Sequence, residues 1–518
     1  MDNGTTMAEL LLASARRHRT LPAVKDSERT MTYGEFVEWA TRLSNVLRAE
    51  GVSDGDHVAV LAEDQVEGLA AYLGVWLAGA TVVHLNARLA APEVQYVLED
   101  SDAKALLHTP GVGELVSSLS NLDDLGFVAA LEDAIDTPLG SAMSKASSTP
   151  SALRTRPEDR AIIGYTSGTS GRPKGAIASH RAVVLTSRLA PYSFQIPLRS
   201  RNVFSGSLSF IGSVWGQVFP HLYVGGMVRL LGRYDADSWF AAIREDRANF
   251  TYLPTPLIPD FTTKVEADPG VLEHLRTIFH AGSLAPRPQV EALIDVIGER
   301  YLETYGSTEM IGAATATTPA MFTRGCDAAD IYSSGGLPVP YGDVWIEAED
   351  GSRVEAGTEG EIVANVDTRF DGYWKAPEKT ADVMRNGGFH SGDIGYFDDA
   401  GFLYVSGRRS ELIVSGGMNV YPAEVERVLL SDPSVREAAV FGVPHPRWGE
   451  GVAAAVVAQP GSGLEQDRVV EICKSQLASY KKPTRVFFLD ELPVNAARKV
   501  DKRALIKRFE AEIHPNGV

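Results

Sequence analysis

Helix-like and strand-like apolar segments alternate near the N-terminus, and this alternation restricts the fold more than any other feature of the chain. Two amphipathic helices are followed by a strand, a third helix and a second strand. These predicted elements occupy residues 8–17, 33–50, 57–61, 66–78 and 81–85. Thr32 is a suitable N-cap for the second helix. Repeated strand–helix units of this kind predict a parallel sheet covered by helices.

The sequence pattern changes at residues 335–407, where short runs of alternating apolar and polar residues are separated by Gly and Asp turns. This pattern predicts a small antiparallel or barrel-like unit. The chain after Arg408 has apolar segments of its own, so a domain boundary is predicted at residues 407–411. Residues 137–156 are rich in Ser, Ala and Pro and are predicted to be a surface connection.

Length and charge restrict the class of protein. The 518 residues are too many for one core, and about two to four domains or subdomains are expected. The formal net charge is −18. Because an acidic surface repels nucleic acid at long range, no nucleic-acid partner is expected. Any site for a phosphate-bearing ligand must therefore be locally positive or built from backbone N–H groups.

Cysteine usage and hydropathy point to a cytoplasmic protein. Cys326 and Cys473 show neither metal-ligand spacing nor a disulfide pattern, which favours a reducing compartment. The most apolar stretch, residues 69–85, contains Gly74 and Gly79 and predicts a buried helix followed by a buried strand. No transmembrane segment and no signal peptide are predicted.

A glycine-rich loop with the sequence TSGTSGRPKG follows a predicted strand at residues 161–165. Glycine permits the backbone angles with which several N–H groups surround a phosphate, and the hydroxyl groups and the lysine add donors. The candidate phosphate contacts are Thr166, Ser167, Gly168, Thr169, Ser170 and Lys174. Taken alone, the loop predicts only nucleotide binding, and it lacks the common P-loop pattern.

This loop resembles the signature of the adenylate-forming superfamily, which includes acyl-CoA synthetases, aryl-CoA ligases, luciferases and the adenylation domains of peptide synthetases. The resemblance continues in the same order from about Tyr33 to Lys502. It implies an α/β multidomain fold. A large N-terminal domain, residues 1–407, would contain two parallel-sheet α/β subdomains and a small β-barrel. A small, mobile α+β domain would occupy residues 408–518.

The block Tyr305-Gly-Ser-Thr-Glu309 is the second part of the resemblance. It implies that Tyr305 packs on adenine, that Thr308 reaches the α-phosphate and that Glu309 supports Mg²⁺. A carboxylate oxygen is a hard ligand that suits Mg²⁺. Taken alone, the block is typical of a turn before a helix. Neighbouring candidates for contact with the nucleotide are Gly282, Ser283, Glu303 and Thr304.

The block Ser391-Gly-Asp393 and the pair Gly407-Arg408 are matched with the ribose of ATP. A carboxylate can accept hydrogen bonds from both ribose hydroxyls, which is the role implied for Asp393. Arg408 would be a second contact of the ribose or of a phosphate. An isolated Ser-Gly-Asp is usually a turn, so this prediction depends on the order and spacing of the blocks.

Lys499 stands at the position of the catalytic lysine of this superfamily, and Arg498 replaces the usual glycine before it. A lysine near a carboxylate oxygen and the α-phosphate would stabilise the charge that develops on both. The alternative is a solvated lysine in a basic patch with Arg498, Lys502 and Arg503.

Two further positions of the C-terminal domain are matched by resemblance. Ser410 is the predicted hinge, where the family usually has Asp or Lys. Gly416 and Gly417 would line a tunnel for the pantetheine arm of coenzyme A, although an ordinary glycine turn is nearly as good an interpretation. Candidate contacts for the coenzyme A phosphates are Arg447, Lys481 and Lys482.

The acid-binding pocket is predicted to be apolar. Phe210 stands where many members carry His, so it shapes the pocket sterically and cannot titrate. Leu337 stands where many relatives have Arg. Both positions indicate an aryl or alkyl acid, although the same residues would suit a structural core. The predicted lining residues are Phe210, Ile211, Trp215, Gly306, Met310, Ile311 and Gly312.

The resemblance implies two half-reactions. A carboxylic acid attacks the α-phosphorus of ATP, giving an acyl-adenylate and pyrophosphate, and coenzyme A then displaces AMP to give acyl-CoA. The glycine pair and the complete C-terminal domain favour coenzyme A as the acceptor. A free amine or a carrier-bound phosphopantetheine are alternative acceptors. A luciferase-like oxidase and a non-catalytic ATP-binding protein fit less well. A homodimer is a possible assembly.

Overall fold

The computed structural model describes residues 4–166, 173–232, 235–283, 285–495 and 499–509. Its strands, numbered in chain order, are β1 (Pro22–Lys25), β2 (Thr30–Thr32), β3 (His57–Ala62), β4 (Thr81–Asn86), β5 (Ala105–His108), β6 (Phe127–Ala130), β7 (Arg160–Thr166), β8 (Lys174–Ser179), β9 (Arg201–Phe204), β10 (Met227–Leu230), β11 (Phe250–Tyr252), β12 (Thr277–Ala281), β13 (Tyr301–Ser307), β14 (Gly312–Ala316), β15 (Leu337–Pro338), β16 (Gly342–Glu347), β17 (Gly360–Val366), β18 (Gly372–Tyr373), β19 (Met384–Arg385), β20 (Gly388–Phe397), β21 (Leu403–Arg408), β22 (Ile413–Ser415), β23 (Met418–Val420), β24 (Val435–His445), β25 (Gly449–Ala458) and β26 (Arg485–Phe488).

The α-helices are numbered in the same way. They are α1 (Met7–His18), α2 (Tyr33–Ala49), α3 (Val66–Leu77), α4 (Ala91–Asp100), α5 (Gly113–Ser117), α6 (Pro138–Lys145), α7 (His180–Ser193), α8 (Ile211–Ser213), α9 (Phe219–Tyr223), α10 (Ala236–Glu245), α11 (Ile258–Ala267), α12 (Arg287–Ile297), α13 (Pro319–Thr323), α14 (Pro377–Val383), α15 (Pro422–Leu430), α16 (Gln466–Gln476) and α17 (Lys502–Arg508). A π-helical turn, Val214–Val218, connects α8 and α9.

Two large sheets have parallel centres. One has seven strands in the order β18-β8-β7-β4-β3-β5-β6, and the other has nine in the order β15-β14-β13-β12-β11-β9-β10-β1-β2. In the first sheet β5, β3, β4 and β7 are parallel, and β8 reverses direction against β7. The prediction of an α/β protein with parallel sheets is confirmed.

The N-terminal elements predicted from periodicity are present, and no boundary differs by more than one residue. Thr32 caps α2 through a reciprocal capping box, in which its hydroxyl accepts from the backbone of Glu35 and its own N–H donates to that carboxylate at 2.8 Å. Every residue of β3 is buried, as expected for a strand covered on both faces. Helix α3 is buried nearly all round and packs on α2 where Gly74 lies against Leu43.

A short helix was not predicted on the N-terminal side. Residues 137–156 were expected to be a surface connection and are mostly exposed or half-buried, but α6 lies within them. The hydroxyl of Thr137 accepts from the backbone N–H of Gly140 at 3.1 Å, and Leu139 and Met143 are buried. Arg42 on α2 holds the end of this helix by donating to two backbone oxygens there. Two buried apolar residues therefore suffice to dock a short helix.

The remaining two sheets lie further along the chain. One is antiparallel, with the order β16-β17-β20-β19 and with β21 paired to β20, and it occupies the position predicted for the small barrel. The last has the order β23-β22-β25-β24 with β26 on β25, and α15, α16 and α17 accompany it, which matches the predicted α+β unit. The described part of the chain has no helix that is long and apolar enough to cross a membrane.

Candidate active site

The predicted phosphate loop connects two antiparallel neighbours, since β7 ends at Thr166 and β8 begins at Lys174. Four of its predicted contacts, Ser167, Gly168, Thr169 and Ser170, lie outside the described residues, and so does Arg172. Thr166 and Lys174 are partners in the strand register. A Cβ atom at Gly175 would lie 2.7 Å from Ile163, so the close approach of the two strands requires glycine there.

Glu309 lies in the tight turn that connects β13 and β14. The turn has a left-handed residue, Ile311, with φ of 49°, and Gly312 has φ of 149°. One oxygen of Glu309, Oε1, accepts a hydrogen bond from the hydroxyl of Tyr373 at 2.8 Å. The other, Oε2, has no hydrogen-bond partner among the described residues. Thr308 precedes it in the same turn and is half-buried.

Asp393 and Arg408 face each other across β20 and β21. The Nε atom of Arg408 lies 2.9 Å from Oδ1 of Asp393, and the hydroxyl of Tyr305 donates to Oδ2 at 2.7 Å. Burial, and then the charge of Asp393, raise the pKa of Tyr305 well above its ordinary value, so this hydroxyl stays a donor. The charge of Asp393 is also the main reason why the pKa of Arg408 is raised.

Lys499 is exposed, and its ammonium group lies close enough to this cluster to interact with the charges of Asp393 and Arg408. Its pKa is lowered, first because surrounding protein displaces water and second because Arg408 is near. Asp393, Glu411 and Glu309 act in the opposite direction, which places their charges within range of Lys499 as well. The described residues form no hydrogen bond with this ammonium group, and Arg498 lies outside them.

The segment predicted to lie beside adenine, which contains Gly282 and Ser283, adjoins a network of polar side chains that is partly buried. Gly282 has φ of 92°, and the hydroxyls of Ser283 and Thr255 lie 2.7 Å apart. The carboxylate of Glu303 is held by His280 at 2.7 Å and by Tyr301 at 2.5 Å. Thr304 bonds weakly to the backbone oxygen of His280 at 3.5 Å. The carboxylate of Glu303 is thus occupied within the protein, and nucleotide contact by Glu303 and Thr304 stays a prediction.

The predicted acid pocket combines exposed and buried residues. Phe210 is half-buried, with the guanidinium of Arg88 5.3 Å from the centre of its ring. The other predicted lining side chains, Ile211, Trp215, Met310 and Ile311, are buried. A Cβ atom at Gly306 would lie 2.1 Å from the backbone oxygen of Gly312, so no side chain fits there.

Open space lies beside the π-helical turn that follows Phe210. Gly216 is buried, yet a Cβ atom built on it meets no described heavy atom within 4 Å. The same holds for Gly212, which is exposed and lies four residues earlier, on the same face of the helix. The indole N–H of Trp215 is buried without a partner among the described residues. These glycines were not predicted as pocket residues, and only their missing side chains could have pointed to them.

The hinge and tunnel residues lie at the start of the C-terminal unit. Ser410 is the middle residue of a 3₁₀ turn, Arg409–Glu411, directly after β21. Gly416 and Gly417 have φ of 58° and 81° and form the turn between β22 and β23. Of the candidate contacts for coenzyme A, Lys481 is paired with Glu424 at 2.6 Å, whereas Lys482 donates to the backbone oxygen and the hydroxyl of Ser479. Arg447 is exposed.

Tyr373 was missed by the sequence interpretation. It stands 64 residues after Glu309, to which it donates, and the nitrogen of Lys174 lies 5.1 Å from the centre of its ring. No periodicity or charge pattern marks a tyrosine in a two-residue strand. A three-dimensional contact is therefore the only signal that could have found it.

Similarity to known proteins extends over nearly the whole chain. The profile of a family described as AMP-binding enzyme matches residues 11–374, and that of the AMP-binding enzyme C-terminal domain matches residues 424–499. A feruloyl-CoA synthase of an Amycolatopsis species is 33% identical over 501 residues, which cover 95% of this chain and 98% of that protein. A long-chain-fatty-acid–CoA ligase of Mycobacterium tuberculosis is 32% identical over 487 residues, with 93% and 94% covered.

Solved structures agree with this relationship. The o-succinylbenzoate CoA synthetase of Bacillus subtilis, in complex with an acyl-adenylate intermediate, superposes with a TM-score of 0.84 at 27% identity, covering 96% of this chain and 97% of that chain. The predicted resemblance is confirmed by two family profiles, by curated relatives and by a shared fold. The chain belongs to the AMP-binding enzyme family, as an ATP-dependent ligase of the acid–CoA type.

Proposed function

We propose that this protein activates an apolar carboxylic acid, aryl or alkyl, with ATP and Mg²⁺, and then transfers the acyl group to coenzyme A. The observation that carries the proposal is the convergence of Glu309, Asp393, Arg408 and Lys499 on one cleft. Glu309 lies in a turn of the nine-stranded sheet, Asp393 and Arg408 lie on paired strands of the antiparallel sheet, and Lys499 lies on a loop. Two carboxylates and two cations are thus brought together. Such an arrangement suits a nucleotide whose ribose, phosphates and metal ion need different partners.

In the first half-reaction, we assign the ribose to Asp393 and Arg408 and the adenine to Tyr305. Lys499 would stabilise the negative charge that develops on the carboxylate oxygen and the α-phosphate during bond formation. The lowered pKa of Lys499 fits a group that is poorly hydrated before ATP brings negative charge beside it.

Mg²⁺ fits the residues present. It usually keeps several waters and takes one or two carboxylates together with substrate phosphates. Glu309 offers one oxygen without a described partner, and Tyr373 fixes the other at 2.8 Å. The ion would neutralise phosphate charge, while Glu309 orients it and Lys174 approaches from the neighbouring strand.

In the second half-reaction, the thiol of coenzyme A attacks the acyl carbon of the adenylate, and AMP leaves with the electrons of the broken C–O bond. Gly416 and Gly417 leave room for the thin pantetheine arm, and the left-handed angles of both favour glycine. We assign the hinge between the two steps to Ser410, because it follows β21 directly and precedes the C-terminal sheet. The proposed boundary therefore stays at residues 407–408.

The acid is proposed to be apolar because Phe210 replaces a titratable group and none of the other lining side chains, Ile211, Trp215, Met310 and Ile311, can ionise. The space beside Gly216 is compatible with an acid that is longer or wider than acetate. A cytoplasmic location and a homodimer are retained as predictions, and size-exclusion chromatography with light scattering would measure the latter.

Pyrophosphate release with a panel of aryl and alkyl acids, each assayed with and without coenzyme A, tests the proposal. We expect acid-dependent release of pyrophosphate, and a thioester detectable by mass spectrometry only when coenzyme A is present. Acyl-adenylate without thioester would reject coenzyme A as the acceptor, and the same reaction with a free amine or a carrier protein would then identify the alternative. No acid-dependent release with any acid would reject the activation step.

A further inference from the structure

A short segment, residues 368–374, joins two parts of the cleft, and we call it the strap. On one side it adds a strand to the first sheet, because β18 pairs with β8 through Gly372 and Tyr373. The N–H of Trp374 also donates to the backbone oxygen of Gly175 at 2.7 Å. The strap is therefore fixed to the strand that begins at Lys174.

On its other side the strap holds the turn that carries Glu309. The N–H of Phe370 donates to the backbone oxygen of Glu309 at 2.7 Å. The hydroxyl of Thr368, which is 1% exposed, donates to the backbone oxygen of Met310 at 2.8 Å. Three hydrogen bonds, including the one from Tyr373, thus connect the strap to two successive residues of this turn.

Tyr373 is the only residue of the strap whose side chain is seen to contact both sides within the described structure. Its hydroxyl donates to Oε1 of Glu309 at 2.8 Å, and the nitrogen of Lys174 lies 5.1 Å from the centre of its ring. The residue is 8% exposed, so its ring has little freedom. A cation near an aromatic ring is attracted to the negative charge of its face.

We propose that Tyr373 is a positioning residue, which orients the carboxylate of Glu309 toward the magnesium ion of ATP and guides Lys174 toward the phosphates. This inference rests on the proposed function of the cleft. A hydrogen bond to one carboxylate oxygen fixes the rotation of the group and directs the other oxygen into the site. Because Mg²⁺ demands nearly ideal geometry, a carboxylate that rotates freely binds it less well.

The variant Tyr373→Phe removes the hydroxyl and keeps the ring beside Lys174. ATP binding is measured by isothermal titration calorimetry on the full chain, without acid or coenzyme A, at a series of magnesium concentrations. Magnesium is expected to increase the affinity for ATP, and the concentration that produces half of this increase is the quantity compared. We expect it to rise about tenfold in the variant, the usual effect of losing a group that orients a metal ligand. ATP affinity without magnesium should change less than about twofold, because no ligand of the nucleotide itself is removed.

Tyr404→Phe is the matched control. Tyr404 is also buried, and its hydroxyl accepts from the N–H of Asp330 at 2.8 Å and donates to Asp398 at 3.1 Å, in a part of β21 to which we assign no role in catalysis. It should leave the magnesium dependence unchanged. The inference is overturned if Tyr373→Phe has the magnesium dependence of the wild type, or if it weakens ATP equally with and without magnesium.

A double variant separates positioning from a general loss of structure. In a Glu309→Gln background the carboxylate is absent, so adding Tyr373→Phe should not shift the magnesium dependence further. An equal further shift in that background would show that the tyrosine acts elsewhere. Because these titrations contain no acid, they test the inference even if no acid yields pyrophosphate, which is the result that would reject the proposed function.

Discussion

The two sides of the cleft are held in different ways. On the N-terminal side, the carboxylates of Glu309 and Asp393 lie on or between strands and already accept hydrogen bonds from tyrosines at 2.8 Å and 2.7 Å. On the C-terminal side, Lys499 stands on a solvent-exposed loop. Its backbone oxygen accepts from the N–H of Asn495, and its N–H donates to the side-chain oxygen of Asn495. Its ammonium group has no hydrogen-bond partner among the described residues. One side is ordered before a ligand binds, and the other is left adjustable.

This difference fits the division of labour in a two-step reaction. Groups that bind the nucleotide in both steps gain from being oriented in advance. A group needed in one step only is better placed on an element that can withdraw, and conformational steps of this kind frequently control enzyme turnover.

Lys499→Ala, which removes the adjustable group of the C-terminal side, should have the largest effect on the rate. We expect the rate of adenylate formation to fall by about 10²- to 10³-fold, the typical effect of removing one group that stabilises transition-state charge. Thioester formation from supplied acyl-adenylate should be preserved. Pre-steady-state measurements of both half-reactions check this, with Lys507→Ala, at an exposed position of α17, as the control. An equal loss in both steps would contradict the assignment of Lys499 to one step.

Asp393→Ala tests the preordered side. The variant removes the partner of both Tyr305 and Arg408, so we expect KM for ATP to rise on the order of 10- to 100-fold, as for loss of a charged hydrogen-bonded group. Unlike Lys499→Ala, it should impair both half-reactions. Asp343→Ala is the control, because this exposed residue pairs with Arg353 and, within the described residues, with no other cation. Unchanged affinity for ATP would contradict the role in ribose binding.

Gly175→Ala tests how rigidly the strand beside the phosphate loop is built. A Cβ atom at this position would lie 2.7 Å from Ile163, so we expect a loss of about 1–3 kcal/mol in the free energy of unfolding. Denaturant unfolding measures it. Gly113→Ala in α5, where the nearest heavy atom to a Cβ lies 4.0 Å away, should be neutral or slightly stabilising. Equal stability of both variants would mean that the strands separate easily.

The smallest of the expected effects concerns the pH dependence of the first half-reaction. The pKa of Lys499 is lowered by burial in the cleft and by Arg408. The charged ammonium exists below this pKa, so kcat/KM for ATP in adenylate formation, which reports the free enzyme, should decline with rising pH. It should do so at a lower pH than for an ordinary lysine. Lys499→Arg should remove the decline, because arginine stays charged. A profile that is flat to pH 10.5, the ordinary pKa of lysine, would contradict this.

Local patterns and ordered motifs allowed much of this molecule to be predicted. The capping box of Thr32 and Glu35 is a signal within four residues, and α2 begins where it predicts. The convergence of Asp393, Arg408 and Lys499 was expected from resemblance alone, because nothing in the spacing of these residues places them in one cleft. Helix α6 was missed because its apolar residues are few and its stability comes from α2.

The contact between Tyr373 and Glu309 was missed for a different reason. It depends on how β18 docks on β8, and a two-residue strand has no period from which its position could be read. Gly212 and Gly216 were also missed, because their relevance comes from the open space beside them, which a sequence does not show.

Gly216 has a consequence for how such an enzyme can diversify. Its face of the π-helical turn borders unfilled volume, and none of the hydrogen bonds described for Glu309 and Asp393 involves it. If this space belongs to the proposed acid pocket, a single added methyl group there would narrow the pocket and leave the residues proposed to bind ATP unchanged. Substitutions at such a position would therefore change the range of accepted acids through small changes in pocket volume, without moving the residues proposed to carry out the chemistry.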